Sequence, residues 1–162
     1  MTKTKTRSSI SVIALLLMAL VVWYHGAGTP LTSEELEYYL STIQAQEQEP
    51  GGRHDVKALR DFLENDDGHA FYTVNLYDFH LSANYEPGSE FAIDSKKTSG
   101  REAFERFSKV MVALLARHSS HPIFASNWSH HESSSWDRLV IVRYRSRRDI
   151  AEIFASDEFS LA

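Results

Sequence analysis

The chain has 162 residues, 43% of them apolar, enough for one domain with a core and too few for two ordinary ones. Charged residues make up 24%, near the globular average, and cysteine is absent, which excludes a disulfide framework, a thiolate metal site and a cysteine nucleophile. A net charge of −5 argues against nucleic acid as a partner.

The amino end departs from this average. Residues 10–24 (ISVIALLLMALVVWY) carry no charge, and Lys3, Lys5 and Arg7 precede them without an acid. A cleaved signal peptide would need a small-x-small triplet, and the best candidate, ending at Ala27, has His25 and two bulky aromatics in the way. A helix buried in the core would not sit beside a purely basic flank. The reading taken forward is an uncleaved signal anchor. Residues 10–27 would make about 27 Å of helix against a bilayer core of about 30 Å, with Trp23 and Tyr24 at the interface. The basic flank would then hold the amino end in the cytoplasm and the domain outside it, periplasmic in a bacterium. This gives three parts: an anchor over residues 1–28, an acidic helical spacer over 29–68, and a domain over 69–162. Residues 29–70 hold ten acids and three bases, −7, whereas residues 71–162 are nearly neutral at −1.

Thr29-Pro30 ends the first helix, and Thr32 with Glu35 fits a capping box that opens a second. Residues 44–52 (QAQEQEPGG) form a polar linker, and residues 55–64 a third helix with Val56, Leu59, Phe62 and Leu63 on one side. Residues 70–79 (AFYTVNLYDF) form a strand with Phe71, Thr73, Asn75, Tyr77 and Phe79 on one face. Residues 80–98 form a loop. Ser99 and Glu102 cap an amphipathic helix of about 18 residues carrying Phe104, Phe107, Met111, Leu114 and Leu115. Residues 122–128 are a strand, 130–135 (HHESSS) a turn, and 136–145 (WDRLVIVRYR) a strand; Ser146 and Asp149 open a last helix. The class is therefore α+β, in the order β-α-β-β-α, after a transmembrane helix and two short helices. A ferredoxin-like sheet would need a fourth strand, and residues 157–162 are too few for a turn and a strand.

Within residues 68–159, FYTVNLYDF, AFERFSKVMVALL, HPIFASNW, WDRLVIVRYRSRRD and SDEF resemble the domain-of-unknown-function family 1330, in the dimeric α/β-barrel superfamily. The most specific stretch is Val142 to Asp149. The resemblance implies a ferredoxin-like subunit whose sheet packs on a twofold-related copy and encloses a cavity. The chain departs from the family in the missing fourth strand and in its first 68 residues. The family carries no agreed activity.

In such a barrel the sheet face opposite the helices lines the cavity. Arg143 interrupts an apolar strand, where a charge needs a partner or water, so it points to a polar cavity or a carboxylate such as Asp78. A guanidinium fork suits a carboxylate or enolate. Asn75 beside it would polarise a carbonyl or satisfy backbone groups, and Tyr77 and Trp128 would wall the site. His121 and Tyr77 are the nearby bases. Arg147 and Arg148 stand in a helix first turn, where the dipole disfavours cations, and the acidic segment before residue 70 would compensate. His118/His121 and His130/His131 lie at opposite ends of a strand, about 26 Å apart, so no metal site is expected from them. Superfamily relatives include haem-degrading oxygenases that use a late histidine; none follows His131, and no cofactor is expected.

The sequence thus points to a membrane-anchored homodimeric domain that binds a small anionic or carbonyl compound. The alternatives are a cofactor-independent isomerase or oxygenase, and an interaction module that pairs through its open sheet edge.

Overall fold

The structure is a computed structural model, and it describes residues 2–26, 28–46, 55–85, 97–127 and 136–160. Six helices and three strands occur among them, in the order α1 (Thr2–His25), α2 (Ser33–Gln46), α3 (Val56–Glu64), β1 (Phe71–Tyr77), α4 (Gly100–Arg117), β2 (His121–Asn127), β3 (Arg138–Tyr144), α5 (Arg147–Phe154) and α6 (Asp157–Ser160).

The sheet has the order β1-β3-β2, with β3 antiparallel to both neighbours. β1, α4 and β2 thus form a split β-α-β unit with β3 in the gap. Phe71, Thr73, Asn75 and Tyr77 align with Tyr144, Val142, Val140 and Arg138. These residues share the face covered by helices. Tyr72, Val74 and Leu76 align with Arg143, Ile141 and Leu139 on the opposite face. The core lies on the helix side, where Val140, Val142 and Tyr144 meet Leu114, Leu115, Ile150, Ile153 and Phe159. On the other face Tyr72, Val74, Leu76 and, from β2, Phe124 stand exposed.

Local chemistry sets the helix ends. Ser99 accepts from Glu102 N while Glu102 reaches back to Ser99 N, which closes a capping box on α4. Asp55 caps α3 and Ser146 caps α5. After α5 the chain makes α6 rather than a strand. Ser156 Oγ accepts from Phe159 N, and Phe159 is buried in the core.

Helices α2 and α3 pair and pack on α5 around a second cluster, Leu40, Ile43, Leu59, Leu63 and Ala151. Their acids meet the cations at the start of α5: Arg148 bonds Glu35, and Arg147 lies 3.4 Å from Asp67 and donates to Asn65 O. Gly68 (φ +72°) lets the α3–β1 turn pass the chain at Gly28, whose carbonyl carbon a Cβ there would meet at 2.5 Å.

The expected membrane span must be corrected. Among the described residues no helix is long and apolar enough to cross a membrane. The sequence reading extended the apolar helix to residue 27, but Gly26 takes a left-handed conformation (φ +74°) and α1 stops at His25. From Ile10 that leaves 16 residues, about 24 Å of helix against a bilayer core of about 30 Å. The last turn is also tied to the protein, since Tyr24 O accepts from Arg143 Nη2 at 3.1 Å. The single-pass topology, the cytoplasmic amino end and the extracytoplasmic or periplasmic domain rested on that span and are withdrawn with it.

Candidate functional site: a cavity between the sheet and helix α4

Asn75 and Arg143 do not converge. Asn75 pairs with Val140 and Arg143 with Tyr72, and Tyr72 and Asn75 are three residues apart, so they project to opposite faces. Arg143 is 3% exposed, and carbonyls and a ring take its charge instead of a carboxylate. It donates to Tyr24 O and, at 3.4 Å, to Ser119 O, and its guanidinium lies 3.8 Å from the Tyr24 ring centroid. His121 is beside it in the ladder, its ring 5.8 Å from Tyr24. These two residues therefore dock the end of α1. Trp128 lies outside the described residues.

Asn75 and Tyr77 instead line a cavity of about 250 Å³ between the sheet and α4. Phe104, Phe107, Met111 and Phe159 supply its apolar wall, and Arg138 and Tyr144 join the polar groups. The amide of Asn75 is already engaged, donating to Thr73 Oγ1 (3.0 Å) and Val140 O (3.2 Å). It braces β1 against β3. Burial pushes the Tyr77 phenol up, and the charge of Arg138 pulls it back only in part. Burial pushes the Tyr144 phenol up to about 12. Both phenols therefore stay protonated at neutral pH and act as hydrogen-bond donors.

Arg138 is the residue that sequence reasoning missed. Its Nη1 donates to Asn127 Oδ1 at 2.9 Å, and its guanidinium carbon lies 5.6 Å from the Phe104 ring centroid. Its Nε is buried and has no hydrogen-bond partner. The signal was parity. Once Asn75 faces Val140, Arg138 falls on the Asn75 side and Arg143 does not. That register pairs β1 with β3, which lie more than sixty residues apart in the chain, so no local signal fixes it; the turn expected over residues 130–135 lies outside the described residues.

A second polar cluster sits where α4 ends beside α5. His118 Nδ1 lies 3.0 Å from Glu152 Oε2 and 3.9 Å from Asp149 Oδ1. Asp149 is fully buried and is held by Arg145 and Ser146, while Tyr39 donates to Glu152 Oε1.

No protein-family profile matches the chain, and no curated protein sequence does. Among solved structures it is similar to RPA0582, a protein of unknown function from Rhodopseudomonas palustris. That match has a TM-score of 0.56 and 17% identity over 66% of this chain and 78% of that one. The methylated form of RPA0582 matches at the same TM-score and 18% identity, over 66% and 77%. At this identity the likeness speaks for the fold.

Proposed function

We propose that this chain is a member of the domain-of-unknown-function 1330 family and binds a small molecule carrying a carboxylate or carbonyl on an apolar body. The observation that carries this reading is the buried, unpartnered Nε–H of Arg138 in the wall of an aromatic cavity. A buried donor without an acceptor costs about 1–3 kcal/mol, and a ligand oxygen would remove that cost. The phenols of Tyr77 and Tyr144 add donors, so the polar side suits an oxygen acceptor and the aromatic wall the rest of the ligand. A volume of about 250 Å³ is below the ~300–1,000 Å³ of drug-sized pockets, which limits the ligand to a compact molecule. Binding is favoured over turnover by the same geometry. Tyr77 is held protonated, and His121 stands on the other sheet face.

The occupant of the exposed sheet face is, in this reading, a second copy of the chain. Tyr72, Val74, Leu76 and Phe124 form an uncharged apolar surface, and the family resemblance implies a twofold partner there.

Native mass spectrometry of the purified chain tests both points. The expected spectrum is a dimer that retains a small carboxylate or carbonyl compound, lost in Arg138→Met while the urea midpoint is kept. A wild-type chain that retains nothing and shows no thermal shift with a panel of small carboxylic acids and ketones overturns the ligand reading. A monomer at micromolar concentration overturns the dimer.

A further inference from the structure

We propose that His118, Asp149 and Glu152 form a binding site for one divalent transition-metal ion of the Zn²⁺ class. The three side chains offer one imidazole nitrogen and two carboxylate oxygens, all within 4.8 Å of one another. Tetrahedral ligands at about 2.1 Å from zinc lie about 3.4 Å apart, and the His118 Nδ1 distances of 3.0 and 3.9 Å bracket that value. Rotation of Glu152, whose side chain is 34% exposed, closes the remaining gap.

The surroundings of the cluster support the assignment independently. Each carboxylate is oriented by groups outside the cluster, as metal-bound carboxylates are. Arg145 Nε donates to Asp149 Oδ2 at 3.1 Å and Ser146 Oγ donates to the same oxygen. Arg145 Nη2 takes one lone pair of Oδ1 and leaves the other. Tyr39 OH donates to Glu152 Oε1 at 3.2 Å and leaves Oε2, the oxygen nearest His118. Charge points the same way. Arg145 is paired with Asp149 and Arg148 with Glu35, while Glu152 has no arginine or lysine in ion-pair contact among the described residues. A buried carboxylate, a second one without an arginine or lysine ion pair among the described residues, and an imidazole with its nitrogen between them make a donor set for a borderline ion. Three protein ligands leave a coordination position for water or a ligand.

The test uses the full chain, stripped with EDTA and titrated calorimetrically with ZnCl₂, and with MgCl₂ in parallel. One equivalent of Zn²⁺ is expected with no measurable Mg²⁺ binding. His118→Ala and Glu152→Gln should each weaken Zn²⁺ binding at least tenfold. The double variant His130→Ala/His131→Ala should bind as the wild type does, which separates the site from other imidazoles. Glu152→Gln keeps the shape and a hydrogen-bonding end, and its metal-free urea midpoint should stay near that of the wild type, so its lost affinity is not lost folding. The proposal is overturned by the absence of saturable one-equivalent uptake. It is equally overturned by uptake unchanged in both ligand variants, or abolished by the His130/His131 pair.

Discussion

Replacing Ser119 with glycine should stabilise the protein. Ser119 follows α4 at the position where a helix commonly turns left-handed, and its φ of +52° is the single positive value at a non-glycine residue among those described. The hydrogen bonds are those of a Schellman ending: Ser120 N donates to Leu115 O at 2.9 Å and Ser119 N to Ala116 O at 3.3 Å. Holding an L-residue left-handed costs about 1–2 kcal/mol. The hydroxyl is buried without a partner, which adds about 1 kcal/mol. Glycine returns about 0.5–1 kcal/mol through the greater freedom of its unfolded chain, and the lost Cβ packing takes back a little more. The net gain is about 1 kcal/mol, or about 2–4 °C in Tm for a chain of this size. Equilibrium urea unfolding of wild type, Ser119→Gly and Ser119→Ala reads it. Alanine removes the hydroxyl and keeps the Cβ, so its gain should be the smaller. A glycine midpoint at or below that of the wild type, or an alanine gain equal to the glycine one, would refute the reasoning.

Two further outcomes follow from the docking contacts. Tyr24→Leu keeps the carbonyl that Arg143 reaches but removes the ring 3.8 Å from its guanidinium. It should cost about 1–2 kcal/mol and speed proteolysis between α1 and α2; an unchanged cleavage rate would mean the ring contact does not hold the helix end. Glu35 bonds Arg148 and the Thr32 cap, which hold its carboxyl down from 4.5 to about 2. A carboxylate depressed in the folded state contributes stability that is full above 4.5 and is lost as the pH falls toward 2. Glu35→Gln should therefore flatten the fall of the urea midpoint across that window, and a parallel fall in variant and wild type would place the acid sensitivity elsewhere.

The elements were legible where one local signal decides them. The Ser99–Glu102 box, the Ser146 cap and the alternation of β1 each depend on neighbours a few residues apart. The membrane reading went wrong on a single residue, because hydropathy counts Gly26 and Ala27 as continuing a helix, while the backbone turns left-handed at Gly26. The site went wrong on register. Asn75 and Arg143 each looked polar in an apolar strand, and their separation onto opposite faces follows only from pairing Asn75 with Val140. That pairing joins residues far apart in the chain. α6 was missed for a similar reason, since its four residues are held by the burial of Phe159 rather than by helical periodicity.

The charge imbalance has its counterpart in the fold. Part of the −7 of residues 29–70 is met by cations: Glu35, Asp66 and Asp67 face Arg148 and Arg147 at the first turn of α5, while Glu34, Glu37, Asp61 and Glu64 stay exposed. Cations there oppose the helix dipole, so the acids of the α2–α3 hairpin offset a cost that α5 would otherwise carry alone. One turn further along, the same helix presents Asp149 and Glu152, and among the described residues the guanidinium bonded to either is that of Arg145, on Asp149. The arginines around α5 are thus committed to other carboxylates. Glu152 is left facing a histidine, which is the arrangement a divalent ion would complete.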